Sequence, residues 1–219
     1  MSPATGDSGY RCFVAIGDSF TAGVPDPETG QVPTGERWPD LVAGALLQRN
    51  PALEHENLAV AGASSREVIE GQLAPAVALD PDLLTLFCGA NDVLLSTRPN
   101  VPGYATTLSA AFALLRATLP GAEVLTATCP DLSVWVGFGP RTRERVRSGI
   151  AQLNEVTRTV AARHGVGCLE FATHPWAGER RHFAPDGVHP SPEGHEAVAG
   201  AFLGALSKRP ARPTTGATR

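Results

Sequence analysis

Apolar and polar positions fall into two periods along this chain. Five short runs are nearly continuous in apolar residues: R-C-F-V-A-I (11–16), E-N-L-A-V (56–60), D-L-L-T-L-F-C (82–88), A-E-V-L-T-A-T (122–128) and V-G-C-L-E-F (166–171). Runs of this length without alternation suit strands buried on both faces of a parallel sheet. Between them the period lengthens. Over 141–163 the apolar residues Val146, Ile150, Leu153, Val156 and Val160 recur at threes and fours, one buried helical stripe, and Gly165 marks a helix stop. The same reading, less sharply drawn, gives helices over 36–49, 64–79 and 103–118. A last helix covers 192–206, with Ser191 as its N-cap. Strand and helix alternating five times predict a doubly wound, three-layer α/β/α structure around a five-stranded parallel sheet.

Composition narrows what such a layer structure can do. The 219 residues suit one domain, expected over 11–207, between a flexible N-terminus (1–10) and a disordered Pro/Thr-rich tail (208–219). A formal net charge of -4 argues against a general nucleic-acid or anionic-membrane surface. No apolar run approaches the roughly 18 residues that span a bilayer. The opening M-S-P-A-T-G-D-S-G-Y has neither the basic nor the apolar region of a signal peptide, so a cytoplasmic protein is expected. Cys12, Cys88, Cys129 and Cys168 lie in or at the end of separate apolar runs, with no C-x-x-C pair. They read as small buried hydrophobes, not as metal ligands or redox partners. All 18 basic residues except Lys208 are arginines, which excludes a P-loop lysine, a Schiff-base lysine and a Ser-Lys dyad.

Candidate chemistry collects where strands end, because ligands in such sheets bind at the carboxyl edge. The triplet Gly-Asp-Ser occurs twice. At 6–8 it follows no strand, whereas Gly17-Asp18-Ser19 falls where the first strand must turn towards a helix. A serine hydroxyl becomes a nucleophile only beside a base, with donors for the oxyanion it creates. Other strand ends supply such groups: Gly62 after the second, Gly89-Ala90-Asn91-Asp92 after the third, and Asp186-Gly187-Val188-His189 beyond the fifth. Each has a structural reading when taken singly. Ser19 suits a helix N-cap, Asn91-Asp92 a turn and cap, and Asp186-Gly187 a turn. His195 opens a helix without the second histidine of a zinc H-E-x-x-H, and His55, His164, His174 and His182 have no comparable support.

The segments G-D-S-F-T, the glycine of N-L-A-V-A-G-A, G-A-N-D and D-G-V-H, in that order, resemble the four blocks of the SGNH (GDSL-type) hydrolases. The resemblance spans about residues 13 to 205. It implies a flavodoxin-like fold, Ser19 as nucleophile, His189 as general base and Asp186 as the acid that orients it. It also implies an oxyanion site made by the backbone N–H groups of Ser19 and Gly62 and the Asn91 amide, with no metal or organic cofactor. Asp18 and Asp92 read as supporting turn residues. The implied reaction is cleavage of a small-molecule carboxylic ester or thioester through an acyl-serine; nucleic acid and membrane are not expected partners. An acyltransferase would share the same acyl-enzyme, and a third reading is a ligand-binding module that kept only the fold. The core uses nearly all the residues, so a modest pocket and short acyl groups are expected. Loops 129–140 and 172–185 are expected to shape it, with Trp135, Phe138, Trp176 and Phe183 either lining it or packing the loops down. Arg180 and Arg181 are either anion contacts or solvated charges, and Trp38 is expected to staple a helix start.

Overall fold

A computed structural model of the chain describes residues 9–24 and 35–208; the first Gly-Asp-Ser triplet and the tail beyond Lys208 lie outside the described residues. Five parallel strands, β1 (Cys12–Gly17), β2 (Glu54–Asn57), β3 (Leu83–Phe87), β4 (Glu123–Ala127) and β5 (Gly167–Leu169), pair in the order β2-β1-β3-β4-β5. This is the flavodoxin-like order expected for a doubly wound fold.

Side chains alternate across the sheet as strand geometry requires. Val14, Ile16, Leu84, Leu86 and Val124 point to one face, where helices α3 (Ser65–Ala78), α5 (Val101–Thr118) and α6 (Pro140–Arg163) cover them. Phe13, Ala15, Leu83, Phe87 and Leu125 point to the other, under α2 (Trp38–Leu47) and α7 (Pro192–Ser207). Trp38 opens α2, as expected of a staple. It is fully buried, stacks on Phe202 of α7 at 4.4 Å and donates its indole N–H to the Phe20 carbonyl at 3.1 Å. Its backbone N–H donates to His195 Nδ1 at 3.2 Å, so His195 joins the two helices; burial pushes this imidazole down to about 4. The stripe over α6 is borne out, with Val146, Ile150, Leu153 and Val160 buried and Val156 half-buried.

The second strand departs from its expected position. The apolar run 56–60 mostly follows β2, whose own residues are the polar Glu54-His55-Glu56-Asn57. An edge strand has one sheet neighbour and a partly solvated surface, so it needs no continuous apolar run. The apolar residues continue the pairing beyond it: Leu58 N–H donates to the Ala15 carbonyl at 2.9 Å and Val60 N–H to Gly17 at 3.1 Å. Two short helices, α1 (Ser19–Ala22) and α4 (Ala90–Leu94), lie outside the helical stretches expected over 36–49, 64–79, 103–118, 141–163 and 192–206. No helix among the described residues is long and apolar enough to cross a membrane.

Candidate active site

Strands β1 and β3 are neighbours whose connections leave towards opposite sides, which opens a crevice at their carboxyl ends. The chain leaves β1 at Gly17, so close to β3 that a Cβ there would collide with the Phe87 carbonyl oxygen. Asp18 then caps α1, its Oδ1 accepting from Phe20 N–H at 3.0 Å, and Ser19 is the first helical residue. The cap reading considered for Ser19 therefore belongs to Asp18, and the Ser19 hydroxyl is left free of that duty.

That hydroxyl lies 2.8 Å from Nε2 of His189, and His189 Nδ1 lies 2.6 Å from Oδ2 of Asp186. Asp186 Oδ1 accepts the backbone N–H groups of Val188 at 2.8 Å and His189 at 3.0 Å, closing the turn that carries both residues. Partial burial pushes Asp186 upward, but the imidazole and the two backbone donors outweigh it and hold the carboxyl below its ordinary value. An ionised carboxylate only accepts, so Nδ1 carries the proton and neutral Nε2 faces Ser19 as an acceptor. Arg180 braces the approach to this turn, donating to the carbonyls of Phe183 at 2.6 Å and Pro185 at 3.1 Å, while Arg181 pairs with Glu179 at 2.8 Å. Arg180 is thus a brace of the loop and Arg181 part of an exposed surface pair, and neither lines the Ser19 cavity.

Asn91 lies in α4, not in a turn, and shares with Ser19 and His189 the lining of one small cavity. Gly89, at φ 121°, bends the chain so that α4 can start; an added Cβ there would stand 3.0 Å from the Tyr104 ring. One N–H of the Asn91 amide donates to the Ala63 carbonyl at 3.0 Å, which sets the amide beside Gly62. Gly62 itself borders a separate groove rather than the Ser19 cavity. Among the described residues neither Ser19 N–H nor Gly62 N–H has an acceptor within the chain. The three implied oxyanion donors thus come from the ends of β1, β2 and β3.

Polar braces hold these ends together; Asp92 is the supporting residue expected from the sequence, whereas Gln72 does not announce itself there. Buried Gln72 of α3 takes Gly17 N–H at 2.8 Å and returns a bond to the Gly17 carbonyl at 2.9 Å. Asp92 accepts both the backbone N–H of Ser65 at 2.8 Å and its hydroxyl at 2.6 Å, which locks α4 to the start of α3. The four aromatic residues mostly pack their loops: Trp176 and Phe183 are core residues, Trp135 leans on Phe183 at 6.3 Å, and none of the four lines the cavity. Cys88 does line it, but burial pushes its thiol far above the ordinary range, so it offers no nucleophile.

Asp18 carries a testable electrostatic cost. It is 2% exposed, and burial pushes its carboxyl up to about 7 despite the opposing pull of Phe20 N–H and His189. Unfolded, the same group titrates near 3.9, so the folded state holds its proton more tightly. Its contribution to stability is then complete below about 4 and fades as pH rises through about 7. Asp18→Asn keeps an acceptor for Phe20 N–H and removes the ionisation. Its gain in Tm over the parent should be larger at pH 8 than at pH 5; an equal difference at both would contradict this account.

A parallel flavodoxin-like sheet whose switch point brings Ser, His and Asp into hydrogen-bond contact is the architecture of the SGNH serine esterases. Residues 15–197 match the model of the GDSL-like lipase/acylhydrolase family, and the chain belongs to that family. No curated protein matches the sequence. Among solved structures, a chain from Parabacteroides merdae described as a GDSL-like lipase is 18% identical with a TM-score of 0.76, over 94% of this chain and 100% of that one. A catalytic mutant of an acetylxylan esterase from Geobacillus stearothermophilus is 20% identical with a TM-score of 0.72, over 94% and 98%. The lipase/acylhydrolase from Enterococcus faecalis is 22% identical with a TM-score of 0.70, over 93% and 99%. At these identities the likeness is one of fold.

Proposed function

We propose that the protein hydrolyses a small carboxylic ester by two-step acyl transfer, with Ser19, His189 and Asp186 as its catalytic residues. Family membership carries ester hydrolysis in general. The observation that supports this mechanism is the unbroken relay from Ser19 Oγ through His189 to Asp186, at 2.8 and 2.6 Å. Ser19 Oγ bonds to the carbonyl carbon as its proton passes to His189 Nε2. The tetrahedral oxyanion draws on Ser19 N–H, Gly62 N–H and the second N–H of Asn91. Collapse breaks the bond to the leaving alcohol, which takes the proton from His189. Water then repeats the sequence and frees the acid. Asp186 stays anionic throughout, which stabilises the imidazolium that forms between the steps.

All four cysteines are unpaired, which suits the cytoplasmic setting proposed from the sequence. A covalent probe tests the mechanism directly. A fluorophosphonate is expected to label the folded protein at one residue, identified by peptide mass spectrometry as Ser19, because only a serine activated by a base reacts at a useful rate. An unlabelled protein would favour the non-catalytic ligand-binding module instead.

A further inference from the structure

The cavity at Ser19 is far smaller than two other concavities among the described residues. Its volume is about 20 Å³, against about 430 Å³ for the groove that Gly62 borders and about 540 Å³ for the groove between α5 and α6. Its polar lining is Asp18, Ser19, Asn91 and His189. Most of the rest is an apolar wall that includes Phe87, Ala90, Leu94, Cys129, Leu132 and Val188. A water molecule needs at least about 10–15 Å³ on this measure. The space therefore holds one small group: its polar lining suits the reacting carbonyl and its apolar lining a methyl attached to it.

The wall cannot easily retreat. Leu132 is 1% exposed in a segment clamped at Cys129, whose N–H and carbonyl both bond to the side chain of Asn154 at 2.7 and 2.8 Å. Asp131, next in that segment, accepts from Ser133 N–H at 2.9 Å. Leu94 stands on α4, which Arg145 ties down through the carbonyls of Val93 and Ser96. Val93 in turn packs so tightly on α6 that a Cβ at Gly149 would come within 2.8 Å of it. Val188 N–H is held by Asp186 at 2.8 Å, and Phe87 is wedged edge-on between Phe20 and Phe171 at 4.8 and 5.8 Å. The segments that carry Phe87, Leu94, Cys129, Leu132 and Val188 are thus each held by a bond or ring contact, so widening the cavity there means breaking one of them.

Which half of the ester enters follows from the order of events. The alcohol must leave first, and water must reach the acyl-enzyme from the side the alcohol vacates. A leaving group seated in so small a recess would have to depart past the acylated Ser19. The acyl half, which stays attached to Ser19, is the one that can be enclosed.

We infer that the cavity beside Ser19 is an acyl site sized for a two-carbon chain, so that the substrates are acetyl esters, the limit being set by Leu94 and Leu132 and falling on the acid half alone. This rests on the acyl-serine mechanism proposed above. The test is the chain-length profile of kcat/KM for p-nitrophenyl acetate, butyrate, hexanoate and octanoate on the full chain, with Ser19→Ala as the background control. Misfit by a single methylene typically costs about 10- to 200-fold. The parent is therefore expected to lose at least about 100-fold from acetate to butyrate, and more beyond. Leu132→Ala and Leu94→Ala should each raise the butyrate-to-acetate ratio by about ten-fold or more. Leu94 is only partly buried, so its variant carries the test if the Leu132 variant does not fold. Ser19-dependent turnover with a flat chain-length profile would overturn the acetyl limit and leave the esterase mechanism standing. An unchanged ratio in a folded Leu94 variant would remove that residue from the wall. Absence of Ser19-dependent turnover on every ester would sink the mechanism and the acyl site together.

Discussion

Ser19→Ala is expected to abolish ester turnover, lowering kcat by roughly a million-fold, the scale on which loss of a triad nucleophile operates, while leaving the fold intact. The two halves of this expectation come from different atoms. Oγ is the only atom of the residue placed to attack, with His189 Nε2 at 2.8 Å ready to take its proton. The structural duties at this position belong to others: Asp18 caps α1, and Gly17 makes the turn out of the strand. Alanine is also the best helix former, so an exchange at the first residue of α1 removes no local support. The backbone N–H of residue 19 survives as well, so one oxyanion donor persists and accounts for whatever slow reaction remains. The measurement pairs kcat on a reactive acetyl ester with a thermal melt. Activity above about one part in a hundred, in protein free of the parent enzyme, would remove Ser19 from the nucleophile's role, since losing a triad nucleophile costs far more than that. A melt lowered by many degrees would show instead that the hydroxyl had been structural.

The sequence carries the site more fully than it carries the fold around it, and the reason is geometric. Ser19, Asn91 and the Asp186–His189 pair each follow a strand, so strand positions alone suffice to bring them to one rim once the sheet is known to be parallel. Strands β1, β3 and β4 are buried on both faces and announce themselves by apolar runs; β5, at the other edge, is half-buried but keeps an apolar run because helices α6 and α7 still pack on it. Strand β2 does not, because its place at the edge lets Glu54, His55 and Glu56 face partly outward; the apolar Leu58 and Val60 then mark its extension and not the strand. Helices α1 and α4 span four and five residues, too short for any period to develop. The Gln72 brace and the wall were illegible for a different reason. Gln72 reaches 55 positions along the chain to Gly17, and Leu94, Leu132 and Val188 meet only in three dimensions. No local spacing encodes such meetings. Arg180 is the instructive middle case: its charge fits an anion contact or a solvated surface, yet its guanidinium is occupied by two carbonyls of the loop that delivers Asp186.

Asp186→Asn is expected to lower kcat by as much as about ten-thousand-fold, as loss of the orienting carboxylate does in serine triads, although it deletes only a charge. The reason lies in how the two carboxyl oxygens divide their work. Oδ1 accepts the N–H groups of Val188 and His189, and an asparagine oxygen can continue to do so. The turn therefore survives and His189 stays where it is. Oδ2, however, faces His189 Nδ1 at 2.6 Å, and in asparagine that position becomes an NH2 group. Two donors cannot share the contact, so the imidazole moves its proton to Nε2. Nε2 then points a hydrogen at Ser19 Oγ and can no longer accept one. The imidazolium also loses its partner. That the Asp186 carboxyl is held below its ordinary value, by His189 and the two backbone donors, means it is charged across the whole pH range in which an imidazole can serve as base. Steady-state kcat, with KM and Tm alongside, separates the alternatives. A large fall in kcat with KM and Tm little changed is the expected pattern, whereas parent-level kcat in the asparagine variant would exclude Asp186 from the relay.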